Sequence, residues 1–326
     1  MKELEYSYCI YPSLLDKFQQ FLHSEELAEN ANNKVTEEMQ ERGMYTDRQV
    51  GDYITPPSMY AAVYETELIN AINRCPYEIS EAADRGTCFN EIVDCLIHNT
   101  PCTREDMQIR TIKDYGTPVC IEATMNGNQY YYDVRLCKDA AECLKGSLSQ
   151  IRLEAPMKTK YGNVLLYGII DEWLKDEIID IKTTSRYDFG KFEDKTQRLV
   201  YPYCAIESGM TDNIASFTYL VFKWRKRKLI LYKQKESQSF VDNTDSIIVD
   251  VAVPVDVYDA ECYPEYYNYN HEIDSIHLQQ VVERFIEWLN YRKEFITDKK
   301  IFGGENPEGY QGKINTELLD EINNGK

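Results

Sequence analysis

Two nearly uninterrupted apolar runs, VLLYGII at 164–170 and EIIDIK at 177–182, flank the short stretch Leu174-Lys175-Asp176-Glu177. Runs this rich in Val, Ile and Leu on either side of a turn read as two antiparallel strands. Strands apolar at successive positions are covered on both faces. Yet a carboxylate, Asp171, ends the first run, and another, Asp180, lies inside the second. A charge in that setting is costly unless it is paired or holds a metal, and such conflicts between pattern and charge tend to mark functional sites.

Register sharpens the point. A two-residue loop at Lys175–Asp176 and a four-residue loop at 174–177 give the same pairing: Leu174 opposite Glu177, Glu172 opposite Ile179, Asp171 opposite Asp180. Opposed side chains have Cβ atoms about 4.5–5.5 Å apart, and like charges there repel. A divalent cation between them turns repulsion into a site. Lys182, two residues after Asp180, shares its sheet face. Oxygen donors of this kind suit Mg²⁺ or Mn²⁺ rather than zinc. The bland alternative is a solvated hairpin with a weak ion pair. Against it, Ile178, Ile179 and Ile181 do not alternate with polar residues. Farther on, Gln197 and Tyr201 are spaced i, i+4 and share one face of a helix expected over 192–208. Pro202, directly after Tyr201, is expected to kink it.

The set Gly168-Ile-Ile-Asp171, Asp180-Ile-Lys182 and Gln197-x-x-x-Tyr201 resembles the PD-(D/E)xK nuclease superfamily, and more closely its RecB-type and phage-type exonuclease branch. The resemblance covers about residues 80–235. It implies a restriction-endonuclease-like αβββαβ core, an α/β fold with a central mixed sheet flanked by helices. It also implies a Mg²⁺- or Mn²⁺-dependent deoxyribonuclease, an exonuclease of recombination, repair or end processing. An endonuclease or junction-resolving enzyme, or a non-cleaving nucleic-acid-binding module that kept the fold, are the alternatives. By the same resemblance Asp171, Asp180 and the carbonyl of Ile181 hold the metal, and Lys182 orients or deprotonates the attacking water. Gln197 and Tyr201 bond a phosphate and brace Lys182, Thr183 lies along the DNA, and Gly168 allows close approach. One motif departs from the family pattern. In the helix at 80–98, Asn90 stands where the branch usually has histidine. Asn90 or its neighbour Glu91 would complete the metal site, with Glu154 a further candidate. No C-x-x-C occurs, so neither the four-cysteine iron–sulfur cluster of some relatives nor a zinc site is expected.

A net charge of −19 sits oddly with a nucleic-acid enzyme, whose footprint is usually basic. Binding follows local patches rather than net charge. One basic patch stands out, Lys223-Trp224-Arg225-Lys226-Arg227-Lys228 with Lys233 and Lys235. Between strands at 214–223 and 228–235 it reads as a hairpin tip, its cations on phosphates and Trp224 on a base. The alternative is a charged edge strand that resists aggregation. An acidic body with one basic tip suggests salt-sensitive binding helped by a recombination or single-strand-binding partner.

The organisation expected is a mainly helical region at 1–79, a core at 80–240 with an insertion near 100–148, and a C-terminal part at 241–326. Asn126-Gly127 marks a type I′ hairpin in the insertion. The polar stretch 24–56 reads as loop, 246–254 as a strand, and the Tyr-rich run 256–274 as a surface loop. Residues 274–297 read as an amphipathic helix, and the tail carries a short helical TELLDEI. No secretory signal or bilayer-length apolar run is visible. The ten cysteines then point to reduced thiols in the cytoplasm of a bacterium or phage-infected host. The histidines His23, His98, His271 and His277 lack metal spacing. No G-x-S-x-G, P-loop or dinucleotide fingerprint occurs.

Overall fold

The computed structural model describes residues 5–44, 51, 53–76, 80–114, 116–238 and 246–303. Among them, nine strands make one mixed sheet in the order β1-β6-β7-β8-β9-β4-β3-β2, with β5 beside β6. Their ranges are β1 Tyr8–Ile10, β2 Met107–Asp114, β3 Thr117–Met125, β4 Asn128–Asp133, β5 Leu148–Thr159, β6 Gly162–Leu174, β7 Glu177–Thr184, β8 Ser216–Gln238 and β9 Ser246–Asn268. The helices are α1 Pro12–Leu22, α2 Ser24–Glu41, α3 Pro57–Ile72, α4 Glu81–His98, α5 Val134–Cys143, α6 Gln197–Glu207 and α7 His271–Tyr291. The chain is therefore α/β, and helices cover both faces of the sheet.

Strand β7 shows how the two faces differ. Ile178 joins a buried cluster with Phe18 of α1, Leu199 of α6, Phe217 and Tyr219 of β8 and Phe285 of α7. Ile179 and Ile181 join another with Phe89 and Ile92 of α4, Ala140 of α5 and Phe222 of β8. Burial on both faces explains the absence of alternation in the sequence. Asn126 and Gly127, at φ 50° and 79°, make the β3–β4 turn, as type I′ geometry requires. This hairpin continues the main sheet, because Tyr131 and Tyr132 of β4 pair in parallel with Val257 and Tyr258 of β9.

Four expectations need correcting. Residues 24–41, read as loop, form α2, which buries only Ser24, Ala28 and Met39 along its length. A helix polar nearly all round carries no periodic signal. The basic stretch 223–228 is not a hairpin tip but the middle of β8, one strand of 23 residues. The Tyr-rich run is not a surface loop, since most of it lies in β9, paired with β8 from Ser216↔Asn268 to Gln238↔Ser246. Residues 134–143, not anticipated as a helix, form α5, capped by Asp133, whose carboxylate accepts from the Arg135 and Leu136 amides. The TELLDEI segment and the side chains of Lys233 and Lys235 lie outside the described residues. No helix among the described residues is long and apolar enough to cross a membrane.

Candidate metal centre

Strand β6 is lined by β5 along one edge, from Thr159↔Gly162 to Leu148↔Trp173. Its other edge is shared. β1 takes Val164–Leu166 in parallel, and β7 takes only Glu172–Leu174, in the register Glu172↔Ile179 and Leu174↔Glu177. Between these contacts β6 and β7 part, opening a fork at residues 167–171. The register is the one expected from the turn, and its next step sets Asp171 against Asp180. In an unbroken ladder the Ile181 amide would face Ile170. Instead it donates to Asp171 Oδ2 at 2.8 Å. A strand residue presents its N–H and C=O to the same edge, so the Ile181 carbonyl also faces the fork.

The other groups converge from β7 and α6. Lys182 Nζ lies 2.6 Å from Asp180 Oδ2, although the approach leaves this buried oxygen without a well-directed hydrogen bond. Gln197 Nε2 donates to Asp180 Oδ1 at 2.9 Å and reaches the Tyr201 hydroxyl at 3.3 Å. Gln197 thus braces Asp180, not Lys182. One helix runs through Pro202; the missing N–H deprives only the Arg198 carbonyl of its i→i−4 donor. The Tyr201 ring rests on Gly168, where an added Cβ would lie 2.5 Å from a ring carbon. Tyr201 is buried and cannot swing clear. Gly168→Ala is therefore expected to cost about 1–3 kcal/mol through overpacking, read as a lower denaturation midpoint.

Helix α4 closes the site from the opposite face. A Cβ at Gly86 would sit 2.8 Å from Thr183 Oγ1, so glycine lets the helix come close to the end of β7. One turn on, Asn90 Oδ1 is buried without a partner. Glu91 turns instead toward Cys95, whose thiol approaches its Oε1 at 3.9 Å. Glu154, opposite Tyr167 in the ladder, lies 3.6 Å from Arg152, and its Oε2 is buried without a directed hydrogen bond. Among the described residues, no three His, Cys, Asp or Glu side chains gather as metal ligands. A cation here would rest on two carboxylates, the Ile181 carbonyl, water and an amide oxygen such as that of Asn90. The unpartnered Asn90 oxygen and the poorly directed Asp180 oxygen fit that role, and an all-oxygen set suits a hard cation.

Charge at the fork is strained as it stands. Burial, then the neighbouring Asp180, pushes the Asp171 carboxyl up to about 8. Burial also raises Asp180, against the pull of Lys182 and Gln197. The Lys182 ammonium is disfavoured by burial, but Asp180, Asp171 and Asp16 outweigh that and hold its pKa above the ordinary value.

Two features escaped the sequence reading. Asp16 of α1 accepts from the Thr196 amide at 2.7 Å and hydroxyl at 2.8 Å, fixing the start of α6 and adding a third carboxylate near Lys182. Behind the fork, Glu172 is fully buried and accepts from Ser147 at 2.5 Å and Ser149 at 2.8 Å. Asp94 of α4 meets it, held at 3.1 Å by Gln150 Nε2, and burial and Glu172 push Asp94 up to about 8. His98 Nε2 lies 2.7 Å from Ser149 Oγ, at the edge of this network. Isolated polar residues far apart in sequence carried no motif that could have revealed it.

The basic stretch does not behave as the sequence suggested. Arg225 pairs with Glu261, Arg227 with Asp133 at 2.6 Å and Lys228 with Asp256 at 2.5 Å. Lys226 lies 3.9 Å from Asp256, while Lys223 faces Glu261 in the ladder. Trp224 is only 9% exposed, wedged edge-on against Phe89 at 5.2 Å and Tyr258 at 5.6 Å, so its face is closed to a base. The four cations nonetheless stay largely exposed, Arg225 at 61%, Lys226 at 55%, Arg227 at 44% and Lys228 at 77%. No model of a known protein family matches this chain, and no curated protein matches it either.

Proposed function

We propose that the chain is a metal-dependent deoxyribonuclease of the PD-(D/E)xK type, with the αβββαβ core formed by α4, β5, β6, β7, α6 and β8. The observation that carries this reading is the fork. There Asp171, Asp180 and Lys182 meet on adjacent strands while Gln197 and Tyr201 reach in from the next helix. Placing a buried and a half-buried carboxylate and an ammonium at one break in a ladder has no structural purpose that apolar residues would not serve better.

Asp171, Asp180 and the Ile181 carbonyl would hold Mg²⁺ or Mn²⁺. Bound there, the cation supplies a low-pKa water and charge stabilisation at phosphorus. Gln197 fixes the rotamer of Asp180, and Asp171 is fixed by the Ile181 amide. Lys182, released from Asp180 when that oxygen is engaged, presents N–H donors to the water or to a phosphate oxygen. The water oxygen would bond to phosphorus as the water gives up a proton to solvent, the ester P–O bond would break, and the leaving alkoxide would take a proton from solvent to become the alcohol. Thr183, next along β7, turns its hydroxyl toward Gly86 of α4 on the other face of the sheet, so the expected DNA contact at Thr183 is not brought beside Lys182.

End-labelled linear DNA and closed circular DNA, each incubated with Mg²⁺ or with chelator, test this. Loss of linear DNA alone, stopped by chelator and by Lys182→Ala, supports an exonuclease. Cutting of circles makes it an endonuclease, and binding without cleavage in either metal removes the catalytic reading. Arg227→Gln and Lys228→Gln are expected to change stability by less than about 1 kcal/mol, the worth of an exposed ion pair, read from denaturation midpoints.

A further inference from the structure

The loop from β7 to α6 presents Phe189 at 87% exposure, the most exposed large apolar side chain among the described residues. It is not a slack loop. Asp188 to Lys191 form a tight turn, with the Lys191 amide donating to the Asp188 carbonyl at 3.1 Å. Gly190 at φ 83° holds the third position, which in a type II turn needs a positive φ. Phe189 is thereby placed at the apex, facing water.

The anchor below it is a buried charge. Glu265, 1% exposed, accepts at one oxygen from the Tyr187 hydroxyl at 2.6 Å and the Gly190 amide at 3.0 Å. Its other oxygen accepts from the Tyr267 hydroxyl at 2.8 Å. The Tyr187 ring stacks on Tyr263 at 4.9 Å. Burying a carboxylate is tolerable only with such a full set of donors, and here two of the three donors belong to the loop. Lys191 Nζ ties the turn back to Thr184 Oγ1 at 2.8 Å and the Arg186 carbonyl at 2.9 Å. Those partners are neutral, and the ammonium also lies over the Phe192 ring at 5.6 Å. Exposed Arg186 comes two residues before the turn, and a Glu193 carboxylate oxygen lies 3.6 Å from where a Cβ on Gly190 would be. Glu265 pairs with Tyr219, which pairs with Asp180, so the loop is anchored two strands from the fork carboxylate.

A solvated aromatic on a hydrogen-bonded turn, with Arg186 and Lys191 three and two residues away in the chain, is suited to a flat π-face attached to phosphate. We infer that Phe189 stacks on a nucleobase of the strand whose phosphate occupies the fork. Base faces are covered inside a duplex and open only at strand ends or in unpaired stretches. The substrate class is therefore DNA with an unpaired or terminal base beside the scissile bond. This inference rests on the nuclease reading and narrows it.

The test measures binding with the full chain in chelator, where no cleavage occurs, using a labelled single-stranded oligonucleotide and a closed circular duplex. Phe189→Ala is expected to weaken single-strand binding about tenfold, the size of one lost base–aromatic contact, and to leave the circle unchanged. Phe189→Trp is expected to restore it. Unchanged single-strand binding by Phe189→Ala, or equal loss on both DNAs, overturns the inference while wild-type cleavage in Mg²⁺ leaves the nuclease reading standing. A wild type that neither binds nor cuts either DNA overturns both.

Discussion

Asp171→Asn is expected to lower metal-dependent cleavage by at least about 10³-fold, the scale of losing several kcal/mol of charge stabilisation. The same change is expected to stabilise the metal-free protein. Asp171 is half-buried next to Asp180, and desolvation, then Asp180, pushes its carboxyl up to about 8. A carboxyl whose folded pKa is raised contributes least above that pKa, so at neutral pH it is a net cost to folding. The asparagine keeps an oxygen for the Ile181 amide and carries no charge. Relief on the order of 2 kcal/mol follows, read as a higher melting temperature in chelator. Asp180→Asn should lose activity equally but gain less stability, because it also strips Lys182 of its 2.6 Å partner. A purely structural pair would show the reverse, with both substitutions destabilising and neither altering chemistry.

Removing the network behind the fork should have the largest effect on stability. Glu172→Ala leaves Ser147, Ser149 and Asp94 without their common partner in a fully buried place. A loss of about 3–5 kcal/mol is expected, as for breaking a buried charged network from one side. Glu172→Gln, which keeps an acceptor and adds a donor toward Asp94, should lose far less. Chemical denaturation of the two variants checks the contrast. The same pair sets a pH dependence. Asp94 is raised to about 8, by burial first and then by Glu172. Between its unfolded pKa and that value the folded state binds the extra proton. Stability therefore falls as pH rises from about 4 to about 8, by up to about 1.4 kcal/mol per pH unit for this group. Asp94→Asn should flatten that slope, read from denaturation midpoints across the range.

The facing of Asp171 and Asp180 was legible because side chains alternate along a strand and the turn fixes the register. The helix carrying Gln197 and Tyr201 was legible because i, i+4 residues share a face. The β8–β9 ribbon was not. Six residues rich in Lys and Arg look like a turn, whereas Glu261, Asp256 and Asp133 neutralise them from strands far away in sequence. That partner strand was hidden in turn by tyrosines and acids that read as loop, though its pairing with β8 is continuous. Trp224 looked available because its neighbours are charged; strand alternation turns it inward onto Phe89. Helix α2 escaped because it buries almost nothing. Asp16, Asp94 and Glu172 escaped because each gains meaning only from partners brought by the fold.

The claim on which the rest depends is that a hard cation sits between Asp171 and Asp180. Titration of Mn²⁺ into the metal-free protein, followed by electron paramagnetic resonance, measures it directly. Saturable binding by the wild type, lost in Asp171→Asn and in Asp180→Asn while both remain folded, is the predicted result. Absence of wild-type binding, or binding that survives both substitutions, would contradict the account.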